Sequence, residues 1–137
     1  MDDFLLDTCA CIWIANGDPI SKRASAAMKD SLAKAGRLRV SPITAWEIAV
    51  LASKGRLSMS MRPEVWFARL VSLPGVTLAE MPPGVLIASA FLPGAPPGDP
   101  ADRIIAATSR EFGYTLLTRD TKLLAYADAG FLNAMAC

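Results

Sequence analysis

The sequence of 137 residues contains no histidine. This absence excludes nucleophilic sites built on Ser-His-Asp or Cys-His, zinc hydrolases with histidine ligands, and ribonucleases that use a pair of imidazoles. Any hydrolysis by this chain would therefore depend on carboxylates acting together with a hard cation.

Cysteine is also scarce, with Cys9, Cys11 and Cys137 as the three examples. The odd number, and the single residue between Cys9 and Cys11, do not match a disulfide framework or the usual C-x₂-C zinc spacing. We therefore expect no metal site built on thiolates.

Net charge and long apolar runs are lacking as well. The formal charge is +1, so any contact with nucleic acid would have to be local rather than driven by a strongly basic surface. No apolar run reaches the roughly 18 residues that span a bilayer, and the acidic start Met1-Asp2-Asp3 lacks the basic flank of a secretory signal. We expect a cytoplasmic protein without a membrane contact.

The composition favours one compact domain over residues 1–137. Hydrophobic residues make up 53% of the chain, enough for a sizeable buried core. The loop 92–98 is rich in proline and glycine, but it is too short to separate two domains.

Apolar segments of strand and helix type alternate along the chain. The predicted strands are 4–7, 38–40, 76–81, 114–118 and 131–135. The predicted helices are a turn or two after Thr8, then 21–35, 41–54, 63 to about 74, 83–91, 99–112 and 121–128. This alternation predicts parallel strands joined by helices, and hence a three-layer α/β/α sandwich with the sheet buried on both faces.

Two aspartates follow predicted strands directly. Asp7 comes after the first strand and Asp120 lies just past the strand that ends at Thr118. Ligands of such sheets bind beyond the carboxyl ends of the strands, so both residues are candidates for a site there. Each could equally be the N-cap of the helix that follows it.

Glu47 is the one charged residue in the segment 41–53. Apolar residues surround it at helical spacings, so its carboxylate should lie on a buried stripe and need a partner. The alternative is a capping box with Thr44, but Pro42 favours an earlier helix start.

Asp102 lies in the first turn of the helix predicted to begin after Asp99. Asp99 fits the N-cap, and Asp102 could simply stabilise the positive end of the helix. Its position above the apolar face of that helix also directs it towards the sheet edge.

Four acids are therefore expected at one edge of the sheet, and we name them the acid quartet: Asp7, Glu47, Asp102 and Asp120. Mg²⁺ and Mn²⁺ prefer oxygen ligands and often keep several waters. Such an ion makes water a better nucleophile and offsets charge on a leaving oxygen. Without a cation the carboxylates would repel phosphate and one another.

Four short motifs in order resemble the PIN-domain ribonucleases, specifically the VapC-type toxins of bacterial toxin–antitoxin pairs. The motifs are Leu5-Leu6-Asp7-Thr8, SPITAWEIA at 41–49, DPADRIIAA at 99–107, and Leu117-Thr118-Arg119-Asp120. The resemblance covers essentially the whole chain.

The resemblance implies a five-stranded parallel sheet, a homodimer, and an RNA endonuclease dependent on Mg²⁺ or Mn²⁺. It gives the acid quartet the family's catalytic and metal-binding positions, with Asp99 as a possible additional metal ligand. It also implies a cognate antitoxin whose tail occupies the acidic groove, often with an arginine directed at the carboxylates.

Two departures from the family pattern bear on the substrate. Many relatives have histidine after Asp-Thr, where this chain has Cys9, and many have a basic or aromatic residue just before Asp-Pro, where it has Pro97-Gly98. We expect Thr8, Lys54, Arg103 and Thr118 to contact substrate, and Trp46 to be a core or dimer residue.

Two other functions remain open from the sequence. A phosphatase could use Asp7 as a covalent nucleophile, but position 9 is cysteine where such sites commonly have a second aspartate. A catalytically silent binding module would use the acids as helix caps alone.

Overall fold

The computed structural model describes residues 3–137 and has seven helices and five strands within them. The strands are β1 (Phe4–Leu6), β2 (Leu38–Val40), β3 (Val76–Leu78), β4 (Thr115–Thr118) and β5 (Asn133–Ala136). The helices are α1 (Thr8–Asn16), α2 (Lys22–Ala33), α3 (Pro42–Ser53), α4 (Pro63–Val71), α5 (Pro83–Ala90), α6 (Pro100–Phe112) and α7 (Thr121–Asp128). No helix in this part of the chain is long and apolar enough to cross a membrane.

The strands form one sheet in the order β3-β2-β1-β4-β5, and every neighbouring pair is parallel. In register, Leu6 of the central strand β1 lies beside Val40 of β2 and Leu117 of β4. The residues that follow β1 and β4 therefore leave the sheet side by side at its carboxyl edge. The five-stranded parallel sheet is confirmed.

Side chains of the sheet alternate between two buried layers. Phe4 and Leu6 pack into a core with residues from α1, α2 and α4, whereas Leu5 packs on the other face with residues from α6 and α7. The sheet is thus covered by helices on both sides, as a parallel sheet requires, and the predicted three-layer sandwich is confirmed.

Several element bounds differ from the sequence prediction, among them those of β3, β5 and α1. The edge strand β3 ends at Leu78 instead of Met81; after it, the amide of Ala79 still donates to the carbonyl of Val40, and α5 starts at Pro83. Strand β5 begins at Asn133, since Phe131 is still tied to the end of α7, where its amide donates to the carbonyl of Tyr126 and its ring stacks on the Tyr126 ring. Helix α1 extends over nine residues, longer than the expected turn or two.

We predict that Leu5→Ala lowers the free energy of unfolding by about 2–5 kcal/mol, because it leaves a cavity in the middle of the sheet. Leu5 is fully buried, whereas Leu73 is 42% exposed, so Leu73→Ala should cost less than about 1 kcal/mol. Urea unfolding of both variants measures this. Equal losses would contradict the assignment of Leu5 to the core.

Candidate active site

A cavity of about 250 Å³ opens at the carboxyl edge of the sheet and contains the whole acid quartet in its lining. The lining residues are Asp7, Thr8, Cys9, Trp13, Glu47, Asp102, Arg119 and Asp120. Three other surface cavities, of about 280, 340 and 280 Å³, are slightly larger, but among residues 3–137 their linings include one carboxylate, none and none, respectively. The acids expected at one edge therefore do meet in one cavity.

Asp7 is held at the end of β1 by two hydrogen bonds that use both of its carboxylate oxygens. One oxygen accepts from the amide of Ala10, which makes Asp7 the N-cap of α1, and the other accepts from the hydroxyl of Thr118. The residue is 6% exposed. Burial raises the pKa of Asp7, and the two hydrogen bonds offset only part of that effect.

Glu47 reaches the cavity from the second turn of α3, and Thr8 fixes its carboxylate. The hydroxyl of Thr8 donates to Glu47 and lies 3.0 Å from the hydroxyl of Thr44. Helix α3 begins after Ser41, so the alternative capping box with Thr44 is wrong. Burial raises the pKa of Glu47, and the bond from Thr8 lowers it in part.

Asp102 occupies the first turn of α6, and it is the least satisfied acid of the quartet. Within residues 3–137 no hydrogen-bond donor or cation contacts its carboxylate. Burial, followed by repulsion from Asp99 and from the other three acids, raises the pKa of Asp102 to about 7. The neighbouring Asp99 is the N-cap of α6, where it accepts from the amide of Asp102, and it does not line the cavity.

Asp120 has two roles, because it lines the cavity and is also the N-cap of α7. Its carboxylate accepts from the amides of Lys122 and Leu123. Its own amide donates to the hydroxyl of Thr118, the same hydroxyl that donates to Asp7. Thr118 therefore joins the ends of β1 and β4.

Cys9, which stands where many relatives have histidine, lies beside the acids. Desolvation of its sulfur and the nearby carboxylates raise the pKa of its thiol to about 11. Hard divalent cations prefer oxygen ligands to sulfur, so the oxygens of the acid quartet are the candidate donors of the site.

The predicted substrate contacts divide into two groups. Thr8 lines the cavity and donates to Glu47, whereas Thr118 is fully buried, is not among the lining residues, and donates to Asp7. Arg103 donates to the backbone carbonyls of Pro97 and Ser89, and, like the exposed Lys54, it is not among the lining residues. Those two bases therefore lie outside the cavity.

Sequence reasoning missed Thr44 and Trp13 as residues of this region. Thr44 is fully buried and contacts Thr8 across 36 positions of sequence. Trp13 lies one and a half turns into α1, facing the cavity with Arg119 over its ring. No helical spacing from Asp7 could have found Trp13, because six residues correspond to about one and two-thirds turns and therefore to a different face.

The donor set fits a hard divalent cation that keeps part of its water shell. All four acids offer oxygen, and no salt bridge among residues 3–137 neutralises any of them. No three Cys, Asp or Glu side chains in that part of the chain converge closely enough to ligate one ion directly. Mg²⁺ commonly binds through one or two carboxylates and several waters, so the open arrangement suits it.

Comparisons with known proteins agree with this geometry. The sequence model of the PIN domain matches residues 4–129. The chain is 33% identical over 123 residues to Ribonuclease VapC22 of Mycobacterium tuberculosis, an alignment that covers 90% of this chain and 91% of that protein.

Solved structures share the fold. One is VapBC2 from Rickettsia felis bound to a DNA fragment from its promoter, with a TM-score of 0.69, 17% identity and 97% of each chain covered. Another is DNA-bound VapBC from Salmonella typhimurium, with a TM-score of 0.58, 22% identity, and 99% of this chain and 98% of that chain covered. From the match over residues 4–129 and the identity to a curated relative along most of its length, we conclude that the chain belongs to the PIN-domain family.

Proposed function

We propose that the protein is an endoribonuclease that uses Mg²⁺ or Mn²⁺ and acts as the toxin of a toxin–antitoxin pair. Ribonucleases with a PIN domain generally depend on divalent metal ions, and the curated relative at 33% identity is itself named a ribonuclease. The acid quartet supplies the catalytic and metal-binding residues in this proposal.

One observation carries the proposal: the half-buried carboxylate of Asp102 lies among other acids, and within residues 3–137 it has no hydrogen-bond donor and no salt bridge. Its pKa is raised to about 7. A buried charge without a partner is costly, and a purely structural aspartate at this position would be expected to cap the helix or pair with a base. A bound cation removes that cost.

The cation would be held by the acid quartet, partly through water. When bound, it supplies a nucleophilic water at neutral pH and stabilises charge on the phosphate oxygens. The chain's own contribution is orientation. Thr118 and Thr8 hold the carboxylates of Asp7 and Glu47 at fixed angles, so these groups need little rearrangement when the ion and the phosphate arrive.

The proposed partner is an antitoxin, and the acid cavity is its proposed contact. The structural neighbours from Rickettsia felis and Salmonella typhimurium are VapBC complexes. An arginine from such a partner could pair with carboxylates that have no cation of their own. That contact would occupy the site and block the substrate.

A homodimer is proposed from three large apolar side chains that stand in solvent. Trp46 of α3 is 58% exposed, and Ile87 and Phe91 at α5 are 64% and 82% exposed. Helices α3 and α5 both pack against α6, and the proposed interface includes the three exposed side chains. An exposed apolar surface of this kind is typical of an interface. Of the two roles expected for Trp46, its exposure contradicts the core position, and the dimer position stays a proposal.

We predict that Asp7→Asn lowers the rate of RNA cleavage by roughly two orders of magnitude or more, because the ion is worth several kcal/mol to the transition state. Cleavage of total cellular RNA with Mn²⁺ measures this, and EDTA should abolish it. The matched control is Asp128→Asn, the same change at an exposed acid that does not line the cavity.

Two results would contradict the proposal. Undiminished cleavage in EDTA would exclude a dependence of the activity on metal. Full activity of the purified Asp7→Asn protein would exclude a catalytic role for the acid quartet. If the wild-type protein neither cleaves RNA nor binds Mn²⁺ at millimolar concentration in calorimetry, the silent binding module is favoured instead.

A second prediction concerns pH and Asp102. Because the pKa of this carboxyl is raised from 3.8 to about 7, the folded protein binds more protons than the unfolded chain between these values, and stability falls as the pH rises through that range. The metal-free Asp102→Asn variant should therefore melt at a higher temperature than the wild type at pH 8, with a smaller gain at pH 5.

Thermal denaturation in EDTA at both pH values tests this prediction, with Asp128→Asn again as control. Added Mn²⁺ should stabilise the wild type more than the variant, since the ion binds the folded form. A variant less stable than the wild type at pH 8 would show that Asp102 is not under electrostatic strain.

The third prediction addresses the dimer. Phe91→Asp should convert the protein to a monomer, because it places a charge in a surface proposed to be desolvated. Light scattering after size-exclusion chromatography measures the mass. Leu73→Asp, a change at an exposed leucine outside α3 and α5, should leave the mass unchanged. A wild-type monomer at micromolar concentration would reject the proposed interface.

A further inference from the structure

Arg119 is fixed beside the acid cavity by contacts that involve none of the acids. Its guanidinium carbon lies 3.9 Å from the centroid of the Trp13 ring, and one of its terminal nitrogens donates to the carbonyl of Pro19 over 2.8 Å. A guanidinium stacked on an indole at this distance is attracted by the face of the ring. The side chain is therefore held in place although the residue itself is exposed.

The positive charge of Arg119 is not neutralised by a salt bridge to the acid quartet. Of the eight lining residues, all within the described part of the chain, Arg119 is the one base. Within residues 3–137 it lies in no salt bridge with any carboxylate. If its purpose were to neutralise the acids, a direct pair with one of them would be expected. The arrangement instead leaves a positive charge next to, and separate from, the acids.

A phosphate group fits this arrangement. The guanidinium has five N–H donors, of which the contact with Pro19 uses one, and its planar fork matches phosphate oxygens. RNA has a phosphate at every nucleotide, so a strand with one phosphate at the acid quartet places others close to it.

We propose that Arg119 binds an RNA phosphate adjacent to the one that is cleaved, and that Trp13 is the positioning residue that holds Arg119 for this contact. The inference rests on the proposed ribonuclease function and adds a substrate contact to it. In an otherwise acidic cavity, Arg119 offers the attraction that lets a polyanion approach.

The alternative to a phosphate contact at Arg119 is that an RNA base stacks on the ring of Trp13. Arg119 lies over the ring of Trp13, and part of the indole packs against the core that contains Phe4, Leu6 and residues of α1 and α2. Little of the ring is left for a base, so the phosphate contact is favoured over base stacking.

Binding can be measured without cleavage in the Asp7→Asn background. The probe is a short mixed-sequence single-stranded RNA labelled with fluorescein, and the readout is fluorescence anisotropy with Mn²⁺ over a range of salt concentrations. Adding Arg119→Ala should weaken binding by roughly tenfold to a hundredfold, the size of one charge-assisted contact. It should also reduce the slope of log K against log salt by about 0.7, the value for one phosphate contact on a single strand.

Arg110→Ala is the matched control. Arg110 also donates to a backbone carbonyl, that of Phe131, but it lines a different surface depression. This variant should leave both the affinity and the salt slope unchanged. In the otherwise wild-type protein, calorimetry should show that Arg119→Ala binds Mn²⁺ no more weakly than the wild type, because it removes a positive charge near the ion.

Variants of Trp13 test the positioning role. Trp13→Phe keeps an aromatic face under the guanidinium and should retain most of the RNA affinity, whereas Trp13→Leu should approach the affinity of Arg119→Ala. Arg119→Lys, which keeps the charge without the planar fork, should lie between the parent and Arg119→Ala. Circular dichroism verifies the fold of each variant. If Trp13→Leu does not fold, the RNA affinities of Trp13→Phe and Arg119→Lys still test the positioning role.

In the otherwise wild-type protein, Arg119→Ala should raise KM for cleavage of total transfer RNA with little change in kcat, since the contact exists before and during the reaction. An unchanged RNA affinity and salt slope would overturn this inference while the proposed function stands. A fall in kcat alone would also overturn it, because Arg119 would then act on the cleaved phosphate. Failure of the wild type to cleave RNA would count against the proposed function itself.

Discussion

The carboxylates of the acid quartet repel one another, and the fold holds them together against that repulsion. Parallel strands make this possible, because β1 and β4 end side by side and deliver Asp7 and Asp120 to one edge. Helix α3 adds Glu47 from its second turn, and helix α6 adds Asp102 from its first turn. Burial first, and then repulsion from the neighbouring acids, raises the pKa of Asp102 to about 7. Rigid packing on both faces of the sheet is what allows so unfavourable a set of charges to persist.

Two of the acids also have structural roles, and these roles explain their fixed positions. Asp7 and Asp120 cap the helices that follow them, and Thr118 joins the two residues through its hydroxyl. A helix start favours negative charge, so capping offsets part of the cost of placing these carboxylates in the cavity. Asp102 lies in the first turn of α6 and gains from the same dipole. The N-termini of α1, α6 and α7 therefore stabilise the negative charges of Asp7, Asp102 and Asp120, which the strand ends alone would not stabilise.

Much of the fold could be predicted from the sequence, because proline and glycine mark so many of its helix ends. Pro42, Pro63, Pro83 and Pro100 each occupy the first turn of a helix, and Gly113 ends α6 at a φ of +72°. The acids were also visible, as residues after strands or as an isolated charge. The contacts of Thr8 with Thr44, and of Arg119 with Trp13, were not, because tertiary packing brings together residues 36 and more positions apart and no local pattern encodes such pairs.

The contact between Arg119 and Trp13 also bears on how a nearly neutral chain could bind a polyanion such as RNA. With a net charge of +1, long-range attraction to RNA is weak, and the acid cavity would repel phosphate until a cation is bound. Attraction must then come from the ion and from a base that the acids do not neutralise. Arg119 meets the second requirement, since Trp13 and Pro19 hold it within the cavity lining but out of salt-bridge contact with the carboxylates. In the proposed function, separating that one positive charge from the four negative ones would leave the acids available for the metal ion and the arginine available for the substrate.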